Sequence, residues 1–128
     1  MVLSIFFHIF ALRIKLLLAM NEKWKTITFA TRYEVSNLGR IRNKSTKKVL
    51  SIQGKNRNRY PTVFLVVDRS MFEHEQHSVS QLVYNHWCIS EGERPSYYQQ
   101  NDYKVKGNRI GHKDGDIYNN IAMNLYRY

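Results

Sequence analysis

Runs of apolar and polar residues divide the chain into stretches of different character. Residues 1–19 (MVLSIFFHIFALRIKLLLA) are almost continuously apolar, yet His8, Arg13 and Lys15 lie inside the run. A spanning helix would place the two cations in hydrocarbon at about 2.5–3.5 kcal/mol each near its centre. A secretory signal carries its charge ahead of the apolar run, not within it. No stable membrane association is therefore expected, and an amphipathic surface helix is the membrane alternative. A more polar sequence starts at Met20, which we expect to be the natural start, leaving residues 1–19 as an apolar extension, not native and without function. Beyond it, Tyr33, Val35 and Ile41 supply strand positions, with Ser36-Asn37 and Gly39 as the turn between them. Pro61 to Val67 is an unbroken apolar run ending at Asp68-Arg69-Ser70, which predicts a strand over Val63–Val67 buried on both faces. A second strand is expected over Glu75–Val79. Ser80 to Trp87 reads as a helix of a turn or two capped by Ser80, with Leu82, Val83, His86 and Trp87 on one side. Residues 88–103 form a connecting loop whose tyrosines either stack on bases or pack. A strand over Lys106–Gly111, one of a ββ pair around His112, brings that residue to its end, and Asp114-Gly115 follows as a turn signal.

At 128 residues the chain is one domain, or two small modules sharing a core. Its net charge of +10 is not spread evenly: residues 21–60 hold 11 Lys and Arg against 2 acidic residues. So local an excess suggests a polyanion, most simply a nucleic acid backbone. The bland alternative is a solvated basic face. Cys88 is the one cysteine, which excludes an internal disulfide and a four-cysteine zinc site. Between Trp87 and Ile89 it reads as a buried, inert thiol, and a reducing cytoplasm fits. His74 and His77 form an H-x-x-H pair with His86 nearby, but no acidic or cysteine partner stands at a ligand spacing.

Two motifs carry a resemblance. The tail Gly111–Tyr128, GHKDGDIYNNIAMNLYRY, combines a histidine, an acidic-glycine turn, the pair Asn119-Asn120, and Asn124-Leu125. This resembles the HNH endonucleases, in the branch where asparagine replaces the last histidine. Upstream, Trp24 and the run Tyr33 to Arg42 (YEVSNLGRIR) resemble the short DNA-binding module often joined to homing endonucleases. The two together imply an α+β fold: a small β-hairpin module over residues 20–50 and an HNH region over residues 51–128. The latter would be a His-Me finger (ββα-metal) unit whose closing helix is truncated at Tyr128.

The resemblance implies a metal-dependent endonuclease of the homing type, cutting double-stranded DNA, with a phage or mobile-element setting and a place in the host cytoplasm. Hydrolysis needs a base for the water, and an imidazole suits that task because its ordinary pKa, about 6.5, lies near working pH. By resemblance His112 is that base, Asn124 holds the loop so that the histidine is oriented, and Asn119 and Asn120 bond across the turn. One divalent cation, Mg²⁺ or Mn²⁺, would stabilise the phosphorane and the leaving oxygen. Its ligands stay open: Gly111 stands where relatives carry a ligand, and Asp114 and Asp116 are the nearest carboxylates, with Asp114 the candidate. DNA contacts are expected from Arg40, Arg42, Lys44, Lys47 and Lys48, from Lys55, Arg57 and Arg59 in a polar loop, and from Lys113, Arg109 and Lys106 near the cut. Three readings follow: an active nuclease, an inactive truncated DNA-binding descendant, or a basic protein acting on RNA or an anionic membrane surface. Target sequence and oligomeric state are not legible.

Overall fold

A computed structural model describes residues 21–54, 59–70, 72–96 and 107–128. The apolar extension 1–19 and Met20, the loop cations Lys55 and Arg57, Lys106, and the tyrosines of residues 97–103 lie outside the described residues.

Three two- or three-stranded antiparallel sheets surround one core. The first orders β1 (Trp24–Thr26), β2 (Tyr33–Ser36) and β3 (Ile41–Asn43) side by side. Register pairs Trp24 with Ser36 and Glu34 with Arg42. The second sheet pairs β4 (Thr62–Val66) with β5 (His74–Ser78), and the third pairs β6 (Ile110–His112) with β7 (Leu125–Arg127). Between the second and third lies α1 (Val79–Val83), which continues as a π-helical turn over Tyr84–Cys88. A 3₁₀ turn over Ala122–Asn124 leads into β7. Among the described residues, the mixture of small sheets and one short helix is α+β.

The core is a single cluster drawn from every part of the chain. Val35 and Ile41 come from the first sheet and Ile27 from just after β1, Val63 and Leu65 from β4, Val79, Leu82 and Val83 from α1, and Ile110 and Leu125 from the last hairpin. Neither two-stranded sheet could stand alone, since such a ribbon needs packing on another element to persist in water. Burying the apolar faces together, at about 25 cal/mol per Å² of apolar surface, is what assembles them.

Helix α1 and its π turn are the bridge between sheets. His86 Nδ1 lies 2.8 Å from the Leu82 carbonyl oxygen, and the Thr28 N–H donates to His86 Nε2 at 3.2 Å. Because Nε2 must accept, Nδ1 carries the proton and donates to Leu82. Trp87 Nε1 donates to the Val35 carbonyl at 3.1 Å, and the Lys25 ammonium sits 4.4 Å from the centre of the Trp87 ring.

Several expectations need correction. The strand of the apolar run spans Thr62–Val66, and Phe64 is 49% exposed, so β4 faces solvent on one side. The two-stranded sheet has only one face against the core, and an apolar run cannot by itself report which face is covered. Ser80 is not the cap: Ser78 precedes the helix, without a side-chain capping bond, and Ser80 is buried inside it. The strand carrying His112 is Ile110–His112 within the described residues, shorter than expected and including His112 itself. Trp24, part of the module's motif, is half-buried with the Arg42 guanidinium 3.9 Å from its ring centre. Cys88 is half-buried, its thiol donating to the Ala122 carbonyl at 3.3 Å. Burial pushes that thiol above its ordinary range, so it stays protonated near neutrality.

Candidate functional site

His112 closes β6, opposite Leu125 of β7, and only 8% of its surface is exposed. Its Nε2 lies 2.8 Å from Asn120 Oδ1. An amide oxygen only accepts, so Nε2–H donates and Nδ1 is left with the lone pair. Nδ1 has no hydrogen-bond partner among the described residues. The Tyr60 ring stands over the same imidazole, with centres 6.3 Å apart. Sequence reasoning missed Tyr60, since only the packing of β4's entry on the last hairpin brings it there.

Residues 113–124 form a loop knotted by its own polar side chains. Asn124 Nδ2 donates to Asp114 Oδ1 at 2.9 Å and to the Asn119 carbonyl at 2.8 Å, while Asn124 Oδ1 accepts from the Asp114 N–H at 3.1 Å. Asn119 Nδ2 donates to Asp114 Oδ2 at 2.8 Å, and the Asp116 N–H to Asp114 Oδ1 at 2.8 Å. Gly115, with φ of +75°, supplies the left-handed residue that the turn requires. Burial alone would raise the Asp114 carboxyl, but the bonds from Asn119, the Asp116 N–H and Asn124 outweigh it and hold the group below the usual carboxylate range. Asn124 therefore ties the loop, Asn120 holds the histidine, and Asn119 bonds across to Asp114.

This donor set does not fit a divalent cation. Hard cations want several free oxygens around them. Asp114 Oδ1 already accepts two N–H donors and Oδ2 a third, which leaves one of the carboxylate's roughly four lone-pair sites for a cation. Gly111 offers no side chain, and a Cβ placed there would meet the Tyr126 ring at 2.4 Å. No group of three or more His, Cys, Asp or Glu among the described residues is placed to hold a metal ion.

The expected DNA-binding cations divide into two sets. Arg42 is half-buried, stacked on Trp24 and bonded through Nε to Glu34 Oε1 at 3.0 Å. Lys47 reaches the same oxygen at 3.3 Å, and Arg40 pairs with Glu22 while lying 5.4 Å from the Trp24 ring centre. Lys44 donates to Thr26 Oγ1 at 3.0 Å. Lys48, Arg59 and Lys113 are exposed, as is Arg109 beside β6. The two acids opposite these cations were also missed; for Glu34 the signal was present, because the hairpin register sets it directly across from Arg42.

The module and the histidine loop meet at one junction. The Ala122 N–H donates to the Asn37 carbonyl at 2.8 Å, and Gly39 lies directly against the Asn120 backbone. A cavity of about 380 Å³ opens beside this contact, between Arg40, Ile52, Pro61 and Tyr118. Among the described residues no helix is long and apolar enough to cross a membrane.

Residues 22–66 match the NUMOD4 motif. The solved structure of the HNH homing endonuclease I-HmuI, described for its DNA binding and cleavage, is similar over 83% of this chain at 27% identity and a TM-score of 0.59. This chain spans about half of that protein, 52% of its length. No curated protein sequence gives a significant match.

Proposed function

We propose that this chain, which belongs to the HNH homing endonuclease family, binds double-stranded DNA and hydrolyses its phosphodiester bonds with His112 as general base. The observation that carries the reading is the His112–Asn120 bond. It places the proton on Nε2 and leaves Nδ1 as the basic nitrogen, fixed in direction by a buried amide. A water held there gives its proton to Nδ1 as its oxygen bonds phosphorus. The P–O3′ bond breaks in line, and the departing oxygen takes a proton from solvent, leaving a 3′-hydroxyl and a 5′-phosphate. Lys113, next to the histidine and exposed, supplies positive charge where the phosphorane develops. Asn124 and Asp114 keep the loop closed so that the base does not wander.

On the module, Arg40, Lys44, Lys47 and Lys48 meet the DNA backbone, and Arg59 extends the track toward His112. Arg42, sandwiched between Trp24 and Glu34, shapes this surface more than it reaches from it. These are phosphate contacts, which position the protein without reading sequence. The test is nicking of supercoiled plasmid with Mg²⁺ or Mn²⁺, followed by DNA ligase. Resealing by ligase confirms 3′-hydroxyl and 5′-phosphate ends, and nicks that ligase cannot seal contradict the proposed attack.

A second reading is favoured by one specific observation. The engaged Asp114 carboxylate and the side-chain-free Gly111 give no protein cage for a cation. On that reading the chain binds DNA without cutting it, and duplex binding persists where nicking fails with every divalent cation tried.

A further inference from the structure

Between the module and the histidine loop stands a tight turn, Asn37–Gly39, that is rigid by construction. Ser36, fully buried, accepts at Oγ from the N–H groups of Leu38 and Arg40, each at 3.1 Å. The Ser36 N–H donates to the Arg40 carbonyl at 2.8 Å, and the Gly39 N–H to the Ser36 carbonyl at 3.2 Å. Asn37 Oδ1 accepts the Lys23 N–H at 2.9 Å, fastening the turn to the residue that leads into β1. Gly39 has φ of +87°, a conformation L side chains rarely adopt, and a Cβ there would lie 2.8 Å from the Asn120 carbonyl oxygen and 3.0 Å from Asn120 Cβ. The glycine is absent of side chain at the place where Asn120 needs to sit.

We infer that the Asn37–Gly39 turn is the positioning element for His112, acting through the backbone of Asn120. Asn120 is held from two sides: Gly39 abuts its backbone, and two residues on the Ala122 N–H is anchored to the Asn37 carbonyl at 2.8 Å. The Cys88 thiol bonds the Ala122 carbonyl from the π turn, closing the third side. The backbone so supported carries the Asn120 amide with Oδ1 2.8 Å from His112 Nε2. Sub-ångström support of this kind is what a base needs, because small misplacements of a catalytic group are costly. Arg40, the next residue after the turn, is exposed on the module, so the surface assigned to DNA and the side chain assigned to water activation share one support. The inference rests on the role proposed for His112, but its test does not require cleavage.

The test is ¹⁵N NMR of the His112 ring in the full chain near neutral pH, with core methyl resonances of Ile27, Val63 and Leu65 reporting the fold. The native chain is expected to show the proton on Nε2. Gly39→Ala, strained and crowding Asn120, is expected to lose that single tautomer in favour of a mixture. Ala122→Pro is the second variant, removing the N–H that Asn37 accepts. Ile121, with ψ of 134°, already has the extended conformation that precedes proline, and the first position of a helical turn tolerates it. It too is expected to give a mixture, as is the reference Asn120→Ala, while the core methyls hold their native positions. If Ala122→Pro keeps the Nε2–H form while Asn120→Ala loses it, the turn does not position the histidine and the inference falls. A native ring protonated on Nδ1 overturns the inference together with the role proposed for His112. Loss of the tautomer in both turn variants, beside a native chain that never nicks DNA, keeps the inference and removes only the nuclease reading.

Discussion

Gly39 and Gly111 both lack a side chain beside a crowded neighbour, yet they should respond differently to a methyl group. At Gly111 the obstruction is the far end of the Tyr126 ring, a side chain 43% exposed and able to swing toward solvent. At Gly39 the obstruction is the Asn120 backbone, and φ is +87°. Gly111→Ala is therefore expected to cost under about 1 kcal/mol, and Gly39→Ala about 1–3 kcal/mol, read from urea unfolding. Equal losses would show that the junction yields as easily as the tyrosine. Asp114 shows why single residues mislead when read from sequence. As a lone carboxylate near the histidine it looks available to a cation, and only the folded loop shows Asn119, Asn124 and the Asp116 N–H occupying it. His112 was legible because its strand, turn and asparagine spacing form one local motif. Tyr60 was not, because 52 residues separate it from a ring it faces only after β4 and β6 pack.

Strands β2 and β3 follow from short-range pattern, since Ser36 to Gly39 can hardly avoid a turn and Tyr33, Val35 and Ile41 flank it. The helix after β5 was legible in kind but not in form: no local pattern announces a π turn, whose position is set by what His86 and Trp87 bond across the core. That arrangement carries a pH dependence. Burial, with the nearby Lys25 charge, pushes His86 below its ordinary range despite the opposing pull of the Leu82 carbonyl, and burial with Arg69 does the same to His77. The unfolded chain takes up these protons near pH 6.5 and the folded one only lower, so the unfolded state binds more protons in that interval. Stability should fall as pH drops through about 6.5 and level off below the folded values. His86→Gln should flatten this slope in thermal unfolding between pH 7.5 and 5.5 without abolishing it, because His77 contributes with the same sign. An unchanged slope would mean that His86 binds its proton as readily in the folded chain as in the unfolded one. Between the sheets, the Val66 N–H donates to the Tyr33 hydroxyl at 3.2 Å in a buried setting. Tyr33→Phe strands that donor and should cost about 1–3 kcal/mol; a neutral substitution would show that another acceptor replaces it.

Across the whole molecule, the uneven charge gives the broadest prediction. Duplex DNA affinity should fall steeply with salt, since each phosphate contact releases a counterion and log K falls by about 0.9 per contact per decade of salt. Replacing Lys48 by Ala should lower that slope by about 1, measured by fluorescence anisotropy. Arg42→Ala should instead mainly lower stability, because the guanidinium is engaged by Trp24 and Glu34 within the sheet. A slope unaffected by both substitutions would move the DNA track off this module. The central claim, that His112 activates water for attack on DNA, is tested most directly by supercoiled plasmid nicking with Mg²⁺ or Mn²⁺, comparing the native chain with His112→Ala at concentrations where both bind duplex equally. The account predicts nicking by the native chain and a loss of at least about 100-fold in the variant, the scale of general base catalysis. Nicking undiminished in His112→Ala would contradict it.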